Sequence, residues 1–159
     1  MQPEDLSVVL CKHPFTSDLD EIHMKLLVGC ASNVTFKDGE FLFHEGESAD
    51  RLYLIRNGRV ALEVQAGERG LIRIQTVGPG EILGWSWLIS PYRWHFTACA
   101  VENVRAIWLD GKCLRTKSET DHDFGYEMLR RLALVLEHRL EATRRQLLDV
   151  YGSEIGVRR

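Results

Sequence analysis

The residues best suited to chemistry fall in one short run, Gly84-Trp-Ser-Trp-Leu88, with Arg93 and Trp94 just beyond it. Gly84 lacks a Cβ and lets a backbone come close to a ligand. A short turn of helix over Ser86 to Ile89 would aim unpaired N–H groups at an anion. The Ser86 hydroxyl would donate one more hydrogen bond, and Arg93 carries a planar fork of donors matched to phosphate or carboxylate. Trp85, Trp87 and Trp94 offer apolar, stacking surface. This is equipment for holding a molecule, not for breaking a bond.

Each of these residues also has a plainer reading. Tryptophans beside a strand commonly fill cores, and both readings stand for Trp85 and Trp87; Trp108 is expected in the core. Arg93 divides among anion binding, a structural ion pair and simple exposure.

Catalytic and metal chemistry find little support. A cupin-like β-roll enzyme needs two or three imidazoles and a carboxylate converging on one metal. His13, His23, His44, His95, His122 and His138 are scattered, with no H-x-H and no H-E-x-x-H. His44 reads as a satisfied core or rim histidine. Ser86 does not sit in a G-x-S-x-G elbow, and no P-loop order occurs. The chain is not expected to be an enzyme, and no metal or cofactor is required.

These residues must be positioned by a chain of 159 residues, 45% hydrophobic, with a net charge of -3. That suffices for one folded domain and gives no basic face for nucleic acid or an anionic membrane. No signal peptide or membrane span is legible, so a cytoplasmic protein is expected. Cys11, Cys30, Cys99 and Cys113 are widely spaced, with no C-x-x-C pair, and read as four free, buried or half-buried thiols in a reducing compartment in preference to two disulfides.

The hydrophobic period divides the chain in three. Residues 1–31 read as a helical lead-in, with Leu19, Ile22, Leu26 and Leu27 at helical spacing and Thr16 or Ser17 as a cap. Residues 32–110 hold short strand-like runs separated by glycine-containing turns, which indicates an all-β roll or jelly roll. Arg56-Asn-Gly58 reads as a turn joining Leu52–Ile55 and Val60–Val64 in one hairpin. Residues 111–150 form a hinge and a long helix from about Thr120. Its stripe runs through Leu129, Leu132, Leu136, Leu140, Thr143 and Leu147, with Glu127–Arg131 and Glu141–Arg145 as i,i+4 pairs. The helix is longer than the roll it packs on, so part of the stripe needs another partner.

The run from Gly39 to Val60, GEFLFHEGESADRLYLIRNGRV, and Val77-Gly-Pro-Gly-Glu-Ile-Leu-Gly84 resemble cyclic-nucleotide-binding domains, including those of catabolite-activator-type regulators. The resemblance extends over nearly the whole chain. It implies a mainly-β fold, a β-roll with N-terminal helices and a long C-terminal helix, in a sensor or regulatory module. It implies that Gly84–Trp87 and Arg93 face a cyclic nucleotide such as cAMP or cGMP, or a similar small anionic ligand. It also implies a homodimer through the long helix at Leu129, Leu132, Leu136, Leu140 and Leu147. Trp85 stands where the family usually has the glutamate that holds the ribose. Arg93 falls about one residue out of register with the family's phosphate-binding arginine. The alternative is a dimeric interaction module, engaging a second copy or a partner protein, whose degenerate pocket takes no nucleotide. Direct DNA binding is not expected, because the chain stops about ten residues past the helix and Arg158-Arg159 is a small patch.

Overall fold

The computed structural model describes residues 5–155; Arg158 and Arg159 lie outside them. Two short helices, α1 (Leu6–Lys12) and α2 (Glu21–Val28), lead in. The strands β1 (Ala31–Phe36), β2 (Phe41–Phe43), β3 (Arg51–Asn57), β4 (Val60–Gln65), β5 (Leu71–Val77), β6 (Ile82–Leu83), β7 (Thr97–Ala100) and β8 (Val104–Asp110) follow. The chain continues through α3 (Gly111–Thr120) and α4 (His122–Ile155). Asp20, not Thr16 or Ser17, caps α2 by accepting from the His23 N–H. Thr16 is buried and donates its hydroxyl to the Leu10 carbonyl at 2.5 Å.

The strands form two antiparallel sheets, β1-β8-β3-β6 and β2-β7-β4-β5. The jelly-roll expectation holds. The expected hairpin does not, because β3 pairs with β8 and β6 while β4 pairs with β5 and β7. Asn57-Gly58 therefore hands the chain from one sheet to the other. Gly58 adopts φ +83°, and a Cβ there would come within 2.2 Å of the Asn103 carbonyl. A backbone this close to a neighbour admits only glycine, whatever the strands on either side do.

Three layers result: helices, the β3-containing sheet, and the β4-containing sheet. Period-2 alternation sends the β3 side chains both ways. Tyr53 and Ile55 enter the space between the sheets, with Phe43, Leu62, Leu83, Trp94 and Phe96. Leu52 and Leu54 face the helices, against Leu27, Leu114, Phe124, Met128 and Leu132. Trp108 is only half-buried, with the Arg51 guanidinium 4.2 Å above its ring.

The expectation of four free thiols fails. Cys30 and Cys113 are joined in a disulfide, their Cα atoms 5.8 Å apart and 83 residues apart in sequence, while Cys11 and Cys99 are free. No local spacing announces this pair. The pairing of Ala31 with Leu109 in the β1–β8 ladder carries the end of α2 to the start of α3.

Candidate functional site

The segment after β6 is where ligand chemistry was expected. Gly84 has φ +97°, and a Cβ there would meet the Trp94 indole at 2.6 Å and the Arg51 carbonyl at 2.9 Å. Its close approach therefore accommodates a side chain of the protein itself. Ser86 to Ile89 make a single turn, with the Leu88 N–H donating to the Trp85 carbonyl and the Ile89 N–H to that of Ser86. Ser86 is buried.

The three tryptophans part company. Trp87 is buried in the helix-side core and donates its indole N–H to the Gly84 carbonyl at 3.1 Å. Trp94 lies between the sheets, its ring stacked on Phe43 at 3.6 Å and 17°. Trp85 is half-buried, 6.0 Å from Phe96 on one side and 4.9 Å from the Arg139 guanidinium on the other.

Arg93 and Trp94 occupy one extended stretch laid against residues 46–49. The Ala49 N–H donates to the Tyr92 carbonyl, the Trp94 N–H to Glu47 and the Gly46 N–H to Trp94. Adjacent residues on such a stretch point to opposite faces. Trp94 takes the inward place and Arg93 the outward one, exposed, with Nη1 donating to the Gly46 carbonyl at 3.2 Å. Gly84 and Trp94 thus meet in the roll, whereas Arg93 stands on the rim and Trp87 beneath the helices. The space between the sheets is aromatic: Tyr53 sits there with Phe43 and Phe96, and burial pushes its phenol pKa up.

Two residues of α4 and α1 matter more than their sequence positions suggested. Arg139 turns under the long helix and donates Nη2 to the Ile82 carbonyl. Burial lowers its pKa to about 10, opposed only by the Glu81 charge, and its Nη1 is buried without a partner. His13 at the end of α1 is 4% exposed; its Nε2 donates to the Ile55 carbonyl at 3.0 Å and its Nδ1 accepts from the Phe15 N–H at 3.2 Å. That hydrogen bonding selects the neutral ring, and burial lowers its pKa. No spacing rule flags a solitary histidine of this kind.

The long helix has 34 residues, about 51 Å at 1.5 Å each. Phe124, Met128, Arg131, Leu132, Val135 and Arg139 face the protein; residues 140–151 are all exposed. Leu132 is 3% exposed in its own core and leaves the expected stripe, whereas Leu129, Leu136, Leu140 and Leu147 are 36–54% exposed. The expected ion pairs are present, Glu127–Arg131 at 2.7 Å and Glu141–Arg145 at 3.5 Å. Arg131 also reaches Asp18 at 2.5 Å, tying α4 to the lead-in. His44 sits on the rim beside Glu47. Among the described residues no cluster of metal-ligating side chains occurs, and no helix is long and apolar enough to cross a membrane.

A two-sheet roll with a glycine-turned loop after its sixth strand and a trailing helix is the architecture of a β-roll regulatory domain. The family model for the cyclic nucleotide-binding domain matches residues 33–121. A CRP-like cAMP-activated global transcriptional regulator of Mycobacterium tuberculosis is 31% identical over 124 residues, 77% of this chain and 53% of that protein. The chain belongs to the cyclic nucleotide-binding domain family. It spans about half the length of the curated relatives it matches. A putative cyclic nucleotide-binding protein from Geobacter metallireducens superimposes with TM-score 0.74 at 29% identity, over 88% of this chain and 98% of that one. A cyclic nucleotide-binding domain from Methylobacillus flagellatus gives TM-score 0.75 at 22% identity, over 83% and 74%, and shows the shared fold. Domains of this family are regulatory modules and do not catalyse.

Proposed function

We propose that this regulatory domain acts by pairing α4 with a second copy, and that its roll is closed to cyclic AMP and cyclic GMP. The observation that carries the reading is Trp94, stacked on Phe43 and seated over Gly84 where the resemblance puts the bound anion. A cyclic phosphate entering there would shed water without gaining a cation, a cost of several kcal/mol. Arg93 faces away from that space. Titration of the protein with cyclic AMP and cyclic GMP, followed by calorimetry and tryptophan fluorescence, should show no saturable binding. Saturation at micromolar nucleotide overturns the closed roll.

The pairing reading rests on Leu129, Leu136, Leu140 and Leu147, spaced seven, four and seven along an exposed face. Burying a leucine contributes about 1.5–3 kcal/mol, more than surface ion pairs such as Glu141–Arg145 add. Light scattering should give a dimer at tens of micromolar. Replacing Leu136 and Leu140 together with Glu should halve the mass while circular dichroism stays unchanged. A wild-type protein already monomeric at that concentration sinks the pairing. A second reading keeps an anionic ligand on the rim, since the Arg93 fork is exposed. Arg93→Ala would then weaken that binding about ten- to a hundred-fold with little change in melting temperature.

A further inference from the structure

The Cys30–Cys113 bridge occupies a decisive place in the chain. Cys30 follows α2 and precedes β1; Cys113 is in the first turn of α3, the helix that delivers the chain into α4. The bond therefore staples the lead-in to the root of the long helix. It is also within reach of solvent. Both cysteines line an open surface groove of about 540 Å³, with Asp110, Lys112 and Lys117 on its walls. Cys113 is partly exposed, whereas Cys30 is 5% exposed.

We infer that Cys30 and Cys113 form a reversible thiol–disulfide site, reduced by a dithiol and governing how firmly α3 and α4 are held. Elsewhere the chain keeps Cys11 exposed and free. A bond that coexists with free thiols suits a redox-responsive pair better than a disulfide framework, which closes its thiols throughout. The chemistry balances. A thiolate of the dithiol attacks the more accessible Cys113 Sγ, and the Cys30 sulfur leaves as a thiolate and takes a proton. The second thiol of the reductant then attacks its own sulfur in the mixed disulfide and expels Cys113. One protein S–S bond is exchanged for one in the reductant, with two electrons and two protons transferred to the protein.

The surroundings favour the second step. Cys113 stands in the first turn of a ten-residue helix, its N–H held by the Asp110 carboxylate at 2.9 Å. A departing thiolate there gains from the helix dipole and from the neighbouring Lys112. Once the bond is open, α3 stays tethered through the Lys117 ammonium, which donates to the Leu26 carbonyl at 2.6 Å, and through buried Leu114. Reduction thus loosens α3 without unfolding the roll. Its effect on pairing through α4 rests on the dimer reading above.

The test uses the wild-type protein, oxidised in air or treated with dithiothreitol under native conditions. After acid quench, denaturation and alkylation, mass spectrometry should count two N-ethylmaleimide adducts before treatment and four after it. Hydrogen exchange in residues 111–120 should quicken at least tenfold on reduction, while β4, β5 and β7 change less than twofold. The melting midpoint should fall by about 5–15 °C. Four adducts without reductant would show that no bond forms. Two adducts after dithiothreitol would show a closed structural bond, and four adducts with unchanged exchange would show that the bond controls nothing; each outcome overturns the proposal. Light scattering on the same samples reads the dimer separately, so a monomer with the expected exchange change defeats the pairing reading and leaves the redox site standing.

Discussion

The interior of the roll and the helical layer outside it are built to different standards. Between the sheets the inward positions are apolar and mutually fitted: Trp94 stacks on Phe43, and Gly84 is hollow where the indole needs space. Outside, α4 lies on the sheet with two guanidinium nitrogens buried and unpaired, Nε of Arg131 and Nη1 of Arg139. It then runs free of the protein from residue 140 with leucines in solvent. A finished interior has one packing; a layer with orphaned donors has less to lose by shifting. The contrast supports the proposal that this regulatory domain acts through its helices.

The contrast breaks first if the interior proves soft. Trp94→Ala removes the largest inward ring and should cost about 3–5 kcal/mol in chemical denaturation. A loss below about 1 kcal/mol would mean that the roll collapses freely around the gap and is not rigidly fitted. Gly84→Ala should cost about 2–4 kcal/mol, from a positive φ and a Cβ driven into Trp94 and the Arg51 carbonyl. Near-neutrality there would show that the indole can simply move aside.

The outer layer should respond differently. Arg139→Met keeps the aliphatic length and removes a desolvated charge, so stability should change by less than about 1 kcal/mol or rise. Arg131→Met, which breaks contacts to both Asp18 and Glu127, should destabilise more than Arg139→Met does. Equal effects in urea melts would erase the distinction between a guanidinium paired with two carboxylates and one held only by a carbonyl. The smallest effect concerns pH. His13 is held neutral, with its pKa lowered by burial from an ordinary 6.5, so the unfolded chain takes up the proton first as pH falls. Its contribution is intact above about pH 6.5 and is lost as pH drops toward the lowered value. Denaturation at pH 7.5 and 5.5 should show that loss in the wild type and a smaller one in His13→Gln.

Much of this was legible in the chain alone, because it rests on local periodicity. The roll, the lead-in helices and the long helix follow from periods of two and 3.6, and Glu127–Arg131 and Glu141–Arg145 follow from i,i+4 spacing. The glycine turns were visible, yet not what they join. Asn57-Gly58 looks the same whether it closes a hairpin or crosses between sheets, and only the pairing of β3 with β8 decides. One residue of register separated Arg93 from Trp94; the ladder against residues 46–49 put the tryptophan inside and the arginine outside. Leu132 matches the exposed leucines in spacing, but it packs into the helix-side core with Leu52, Leu54, Phe124 and Met128. The Cys30–Cys113 bond and the turning of Arg139 beneath α4 join groups distant in sequence, with no local signature. Such features depend on how layers dock, and docking is set by contacts that no short window of sequence contains.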